Sequence, residues 1–266
     1  TRKVENENGE TYEIKELLEA YMTFGGMPSL TEVPLEIDKA LTILDGIYSS
    51  VVIRDILERE KQRGRRQVTD SSLLRKIIMF LADNIGNNTS INSISNILLN
   101  EKLIETKPAV QTVQSYVSTL LEAYIFYEIK RFDIKGKEYL KTLGKYYIVD
   151  IGLRNYLLGF RNRDIGHIIE NIVYFELLRR GYDVAIGKIG ENEIDFIATN
   201  INTKIYIQVT ENMANSSTRE REIAPFYKIQ DNFEKIVITN DENYLGIQDG
   251  IKIIRLVDFL LDENIL

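Results

Sequence analysis

The chain has 266 residues, of which 44% are hydrophobic and 27% are charged, and its formal net charge is −7 at pH 7. This is the composition of a globular protein that is long enough to bury a substantial core. The absence of cysteine excludes disulfide bonds, thiolate chemistry and cysteine-ligated zinc or iron–sulfur sites. The single histidine, His167, excludes a histidine-rich metal site. The acidic balance argues against a protein that coats nucleic acid over its whole surface.

The sequence contains no uninterrupted run of about 18 apolar residues, and we expect no secretory leader. We therefore expect a cytoplasmic protein with no membrane partner. The phosphate-binding pattern GxxxxGK followed by Ser or Thr is absent, and Gly187 and Gly190 stand outside the glycine pattern of a dinucleotide site. We expect no ATP site within these residues.

Helical periodicity predicts two helices in residues 1–67, one over 11–24 and a longer one over 35–61. Gly25 and Gly26 are expected to end the first, and Pro28 to prevent it from continuing. The longer helix finishes in a basic run, which suits either a solvated helix end or a surface that contacts phosphates. The run consists of Arg59, Lys61, Arg63, Arg65 and Arg66.

Three helices are predicted over 71–83, 90–100 and 108–124, with Asp70 or Ser71 able to cap the first. Two alternating strands follow, over 125–132 and 139–148, and Asp150 is expected to cap a further helix near Leu153. Three helices and a hairpin are the order of a winged helix-turn-helix, so we predict this domain over residues 68–158.

In such a domain the third helix enters the major groove and the hairpin contacts the DNA backbone. The candidate nucleic-acid-binding residues are Lys107, Gln111, Gln114, Lys130, Arg131, Lys135 and Lys137, and the hairpin also carries Lys141 and Lys145. The same residues suit the solvated faces of a helix and a hairpin, and winged helices also act as protein–protein modules. DNA contact and protein docking therefore both stay open.

The last third of the chain alternates helices and strands. Helices are predicted over 165–180, 221–231 and 256–261, and strands over 184–189, 193–199, 204–210, 235–239 and 252–255. This order is typical of a mixed sheet flanked by helices. The whole chain is thus predicted to be a multi-domain α+β protein.

Three polar positions fall at informative places in this region: Glu170 within a helix, Asp195 within a strand, and Gln208 on the next strand. The layout resembles the PD-(D/E)XK nuclease superfamily, which has the restriction-endonuclease-like fold. The resemblance implies such a domain over residues 159–266, with Glu170, Asp195 and Gln208 as catalytic residues. It further implies a Mg²⁺ ion bound by Asp195 and Glu170, which would activate a water molecule.

One position departs from the nuclease motif. The lysine expected two residues after Gln208 is Thr210, and Lys188 and Lys204 lie close enough in sequence to replace it. Because a site that lacks a group with a defined role loses most of its catalysis, we expect a degenerate, inactive domain. The alternative is a working Mg²⁺-dependent nuclease.

A wider resemblance is carried by four stretches, namely 21–28, 145–153, 166–171 with 193–196, and 228–239. Together they resemble the C-terminal region of bacterial and archaeal AAA-type ATPases, a region of unknown function. The resemblance implies an N-terminal ATPase core as a partner, to which residues 1–67 would link, and it is compatible with an oligomer. The chain is then expected to be an accessory module that binds DNA or a protein partner, or a docking module with no role in nucleic-acid binding.

Overall fold

The computed structural model describes residues 3–5, 9–31, 36–62, 68–100 and 107–266. They form a mixed α+β protein with two compact units. The sheet unit comprises residues 1–18, 129–143 and 161–266, and the helical unit comprises residues 19–128 and 144–160. The division into 1–67, 68–158 and 159–266 stays a prediction. Arg63, Arg65 and Arg66 of the predicted basic run lie outside the described residues.

Short strands open the chain, helices dominate its middle, and strands alternate with helices in its last part. In chain order the elements are β1 (Lys3–Glu5), β2 (Thr11–Glu13), α1 (Ile14–Phe24), α2 (Ile37–Gly46), a π-helical segment (Ile47–Arg54), α3 (Asp55–Gln62), α4 (Ser71–Asp83), α5 (Ile91–Asn100), α6 (Val110–Glu122), β3 (Phe126–Asp133), β4 (Glu138–Ile148), α7 (Ile151–Leu158), α8 (Ile165–Arg179), β5 (Asp183–Ile189), β6 (Asn192–Thr199), β7 (Lys204–Thr210), α9 (Ser216–Ile223), β8 (Glu234–Thr239), β9 (Gly246–Gln248), β10 (Ile251–Arg255) and α10 (Leu256–Leu261). None of the helices in this described part is both long and apolar enough to cross a membrane.

In the helical unit, α4, α5 and α6 follow the apolar stripes of the sequence. Asp70 caps α4 by accepting from the backbone N–H groups of Ser72 and Leu73, as expected. Thr89 and Gly144 form an isolated antiparallel bridge, which joins the segment between α4 and α5 to strand β4. The buried residues at the centre of this unit include Leu74, Ile77, Ile94, Leu98, Val117 and Leu120.

The C-terminal end of α1 meets the N-terminal end of α7 in the helical unit. Asp150 caps α7 by accepting from the N–H of Leu153 at 3.1 Å, which confirms the predicted cap. Its other carboxylate oxygen accepts from the N–H of Gly26 at 2.8 Å. Asn155 donates to the carbonyls of Met22 and Thr23, both at 2.9 Å, and so satisfies two C-terminal carbonyls of α1. Two of the sequence stretches that carry the wider resemblance therefore meet at this point.

The predicted helix over 11–24 was wrong in its first three residues, which form β2 and pair with β1. The long helix predicted over 35–61 is helical from Ile37 to Gln62, but its middle segment, Ile47–Arg54, is π-helical. Helical periodicity specifies which face is buried, and it does not distinguish these two kinds of hydrogen bonding.

The sheet unit is built on an eight-stranded sheet with the order β4-β3-β5-β6-β7-β8-β10-β9, to which the hairpin contributes residues 129–143. Strands β5, β6 and β7 form an antiparallel meander. Strand β8 pairs parallel to β7, and β10 pairs parallel to β8. Strand β3 runs parallel to β5, with Arg131 opposite Ile186. The sheet is therefore mixed, as predicted.

Helix α8 contacts the sheet through Tyr174, whose ring stacks on that of Phe196 at a centroid distance of 6.2 Å. The helix predicted over 221–231 was wrong in position, since α9 spans Ser216–Ile223. Asn215 caps α9 by accepting from the N–H of Ser217. Pro225 follows, and because its ring cannot continue the helix, a short 3-10 turn replaces it at Phe226–Lys228.

Candidate functional site

Asp195 lies in a β-bulge between β5 and β6. Ala185 pairs with Ile197 and Gly187 pairs with Ile194, so two residues of β6 oppose a single residue of β5. A bulge leaves its extra residue outside the ladder of backbone hydrogen bonds and redirects the side chain. The paired register of β6 with β7, on the other side, ends next to Asp195 at Phe196 opposite Ile207, and beyond it side chains make the contacts between these two strands.

Gln208 and Asp195 make these contacts. The N–H of Asp195 donates to Oε1 of Gln208 at 2.7 Å, and Oδ2 of Asp195 accepts from the N–H of Val209 at 2.8 Å. Gln208 itself is buried, with 5% of its surface exposed. The structure thus brings together two of the three predicted catalytic residues, and each of them binds the backbone of the opposite strand.

Glu170, the third predicted residue, is buried in α8. Its Oε2 lies 3.9 Å from Nδ1 of His167, one turn earlier on the same helix. That distance is too long for a hydrogen bond, and the buried Nδ1 of His167 has no hydrogen-bond partner among the described residues. The imidazole and the carboxylate are thus neighbours that do not share a hydrogen bond.

The side chain of Thr210, at the position of the nuclease lysine, donates to the carbonyl of Asn212 at 3.2 Å. Lys204 is at the other end of β7, about 20 Å away for six strand residues. Its ammonium lies 4.7 Å from the ring centroid of Tyr206, so it does not replace the missing lysine. Lys188 pairs across the strands with Glu193, two residues before Asp195.

The Mg²⁺ site that the nuclease resemblance implies, with Asp195 and Glu170 as ligands, stays a prediction. Within the described ranges, no three His, Cys, Asp or Glu side chains are grouped so that they could hold a metal ion. Gln208 contributes an amide where the nuclease motif also allows a carboxylate, and its oxygen already accepts the N–H of Asp195. We therefore derive no reaction step through a metal.

The candidate DNA-binding residues of the helical unit are exposed. Lys107, Gln111 and Gln114 are all exposed, and the last two are one turn apart on α6. Ser118 extends the same exposed stripe. The side chains available for contact are therefore mainly uncharged and polar.

The hairpin residues of the sheet unit fall into two groups. Lys130, Lys135 and Lys137 are exposed. Arg131 is only 15% exposed, and its Nε lies 4.0 Å from Oε2 of Glu193. Lys145, on the part of β4 that belongs to the helical unit, is 4% exposed. The side chain of Lys141 lies outside the described residues. Because Arg131 and Lys145 are largely buried, the basic surface that the hairpin offers to a ligand is smaller than its sequence suggests.

The sheet unit has a cavity of about 430 Å³ that the sequence-based predictions did not indicate. It lies where β8 and β10 begin, and it is lined by residues 226–227, 229–235 and 249–251. Most of the first two segments belongs to the stretch 228–239, which carries part of the wider resemblance. The sequence offered one signal for this cavity, namely two aromatic residues that are exposed in the structure. Phe233 lies within that stretch and Tyr227 directly precedes it.

Comparison with known proteins identifies relatives without an assigned activity. The chain is 38% identical over 250 residues to an uncharacterized protein of Haemophilus influenzae, with 93% of this chain and 58% of that protein covered. It is 30% identical over 265 residues to an uncharacterized protein of Methanocaldococcus jannaschii, with 94% of this chain and 56% of that protein covered. The chain therefore spans just over half the length of these relatives. No solved structure matches it significantly.

The sequence profile of a family described as "Domain of unknown function (DUF8612)" matches residues 15–164. This is more than half of the chain, and it includes the whole helical unit from α2 to α7 together with the hairpin. The match ends just before α8, so the strands that carry Asp195 and Gln208 lie beyond it. The chain belongs to this family.

Proposed function

We propose that the chain is the C-terminal accessory region of an AAA-type ATP-binding protein, and that it acts as a DNA- or partner-binding module with a degenerate nuclease-like domain. The ATPase part of this proposal rests on the sequence stretches 21–28, 145–153, 166–171 with 193–196, and 228–239. The relatives are long enough to hold a further domain, since 42% and 44% of their lengths lie outside the match.

The nuclease-like assignment is supported by the order of elements in the sheet unit. Helix α8 precedes the meander β5–β6–β7, and α9 then connects β7 to the parallel strand β8. This is the order expected from the PD-(D/E)XK resemblance. The conclusion that the domain is degenerate rests on one observation, the reciprocal hydrogen bonds between the Asp195 and Gln208 segments. They give both side chains a structural task, and Thr210 supplies no ammonium group.

The winged-helix assignment is supported by α4, α5 and α6, by the bridge between Thr89 and Gly144, and by the hairpin that follows. Gln111 and Gln114 on α6 have amide groups that can contact base edges in the major groove. Lys135 and Lys137 at the tip of the hairpin can contact phosphates. These two surfaces belong to different units, so each is tested by its own pair of substitutions.

The experiment is fluorescence anisotropy with labelled duplex and single-stranded DNA, at low and at physiological salt, with and without Mg²⁺. For the hairpin we expect Lys135→Glu with Lys137→Glu to weaken binding at every DNA sequence. The slope of log affinity against log salt should fall by about 0.9 for each lysine that contacts a phosphate. The control is Arg163→Glu with Arg221→Glu, which makes the same change in charge at two exposed positions outside both surfaces.

For helix α6 we expect Gln111→Ala with Gln114→Ala to reduce the preference among duplex sequences while the salt dependence stays the same. Wild-type protein that binds neither duplex nor single strands at low salt would contradict the DNA-binding proposal. Protein docking would then be the remaining function of this module.

The nuclease alternative is tested in the same samples. Mg²⁺-dependent product that disappears in Asp195→Ala would overturn the assignment of a degenerate site. Cleavage that persists in Asp195→Ala would identify a contaminating nuclease, because the implied catalysis depends on this carboxylate.

A further inference from the structure

The hairpin residues 129–143 of the sheet unit are basic in a chain whose net charge is −7, since they contain Lys130, Arg131, Lys135, Lys137 and Lys141 against Asp133 and Glu138. Lys130, Lys135 and Lys137 are exposed, and within the described part of the chain no carboxylate oxygen lies within 4.0 Å of their ammonium groups. Lys204 and Lys252 of the same unit differ, since each lies 3.8 Å from a carboxylate. The three hairpin charges are therefore available to an anion.

The turn of this hairpin is closed by Asp133. Its Oδ1 accepts from the N–H groups of Lys135 and Gly136 at 3.0 and 3.1 Å, and its carbonyl accepts from the N–H of Lys137 at 2.7 Å. The hydrogen bonds to the carboxylate, together with the charges of Lys188 and Lys135, lower its pKa. The carboxylate is thus used by the turn, and the turn fixes the backbone from which Lys135 and Lys137 project.

An exposed aromatic ring accompanies these charges. Tyr139, two residues after Lys137, is 60% exposed, and its ring meets that of Phe132 at a centroid distance of 5.2 Å and an interplanar angle of 71°. Phe132 packs against the buried core of the sheet unit and so holds the ring in place. An edge-to-face contact covers at most one face of a ring, so Tyr139 presents a face to solvent. Because residues two apart on a strand share a face of the sheet, Lys130 lies on the same side as Phe132.

Cations beside an exposed aromatic ring are the combination that binds single-stranded nucleic acid. The cations contact phosphates, and the ring stacks on a base whose face is uncovered. In a duplex each base is already stacked between its neighbours, so its faces are not accessible unless the base is unstacked. A duplex can therefore use the lysines of the hairpin, and an unpaired strand can use both the lysines and the ring.

We propose that the hairpin binds single-stranded DNA, with an unpaired base stacked on Tyr139 and phosphates bound by Lys130, Lys135 and Lys137. This role rests on the proposed function and specifies the form of DNA that the hairpin takes. It differs from the role of α6, whose amide groups would contact base edges in a duplex. An acidic polypeptide would satisfy the lysines, but its carboxylates would not stack on the ring.

The test is fluorescence anisotropy of the protein with a labelled oligothymidylate of about 16 nucleotides, the upper end of the usual site size. The reference is an abasic strand of the same length, which keeps the phosphates and lacks the bases. We expect the oligothymidylate to bind at least about fivefold more tightly, the lower end of the effect of stacking one base on an aromatic ring. Tyr139→Ala should abolish this difference and leave the affinity for the abasic strand unchanged, whereas Tyr139→Phe should preserve it. Lys135→Glu with Lys137→Glu should weaken the binding of both strands alike.

The matched control is Tyr227→Ala, which removes a 62% exposed ring from another part of the same unit. It should leave both affinities unchanged. Equal affinity of the wild type for the two strands, or a difference that persists in Tyr139→Ala, would overturn the assignment of a stacking site. Binding to a duplex of the same length but to neither single strand would also overturn it, while the proposed DNA binding would stand. Binding to no DNA at all would contradict both.

Discussion

The carboxylate of Asp150 accepts a hydrogen bond from the backbone N–H of Gly26 at 2.8 Å, although the two residues are 124 positions apart in the chain. Gly25, with a φ of +78°, brings the chain so close that a Cβ there would lie 2.2 Å from Oδ1 of Asp150. The turn after α1 and the cap of α7 are therefore a single structural feature of the helical unit. Asp150 can occupy this position only because Gly25 has no side chain.

We expect Gly152→Ala to destabilise the protein by about 3 kcal/mol, at the upper end of the range for overpacking. The added Cβ would lie 1.9 Å from the carbonyl oxygen of Phe24. The matched control is Gly46→Ala, which has helical φ and ψ and no atom within 4 Å of the added Cβ. It should stabilise the protein by about 0.5–1 kcal/mol. Urea unfolding followed by circular dichroism measures both, and equal losses in the two variants would contradict the close approach.

The stability of the protein is expected to depend on pH through Asp150. Burial raises the pKa of its carboxyl, and hydrogen bonds from Gly26 and Leu153 only partly offset this effect. An acid whose pKa is raised in the folded state binds its proton more tightly there than in the unfolded chain. Its contribution to stability is therefore complete below the ordinary pKa of 3.8, and it is lost as pH rises through the pKa of the folded state.

Asp150→Asn cannot ionise and lacks this contribution. We would measure urea unfolding of both proteins from about pH 4, near the ordinary carboxyl pKa, up to about pH 7. The wild type should lose stability relative to the variant as pH rises. The variant is also expected to be less stable overall at low pH, because its amide nitrogen cannot accept one of the two N–H groups. A difference that does not change with pH would show that the pKa is not raised.

Gln208→Ala is expected to lower the free energy of unfolding by about 1–3 kcal/mol, because it leaves the N–H of Asp195 without a partner in a largely buried strand. Asp195→Ala should have a similar effect through the N–H of Val209. Because both hydrogen bonds join the same two segments of β6 and β7, the double variant should lose less than the sum of the single losses. The control is Ile201→Ala, and Mg²⁺ should change none of these values.

Glu176→Gln is expected to destabilise the sheet unit by about 3 kcal/mol, the lower end of the range for breaking a buried ion pair. Glu176 and Arg180 are 9% and 7% exposed and lie 2.6 Å apart. Arg180 also donates to the carbonyls of Phe259 and Asp262, and thus binds the last turn of α10. The matched control is Glu263→Gln, a 77% exposed carboxylate 3.4 Å from Arg179, which should change stability by less than about 0.5 kcal/mol.

The parts of the fold that periodicity specifies were predicted closely. Helices α4 and α8 have long apolar stripes, and β7 was predicted with its observed bounds. Strand β2 was missed because a three-residue strand carries no period. Helix α9 was misplaced, although Asn215 before Ser216 and Ser217 is a capping signal and Pro225 is a signal for the end of a helix.

The candidate site was predicted in part. Asp195 and Gln208 were expected on neighbouring strands, and they are hydrogen-bonded neighbours. Asp195 also lies in the bulge that arises from how β5 and β6 pair, and a single sequence carries no signal for it. Burial of Arg131 has a similar cause, because the pairing of β3 with β5 joins segments that are more than 50 residues apart.

The parallel pairing of β3 with β5 limits how the protein can be dissected. A fragment that starts at residue 159 would contain β5 but not β3, so the backbone groups of β5 that face β3 at 186–188 would lose their partners. An apolar strand with unpaired backbone groups is a template for aggregation. Truncations meant to isolate the sheet unit should therefore begin before residue 129, and they will include α7 even though it belongs to the other unit.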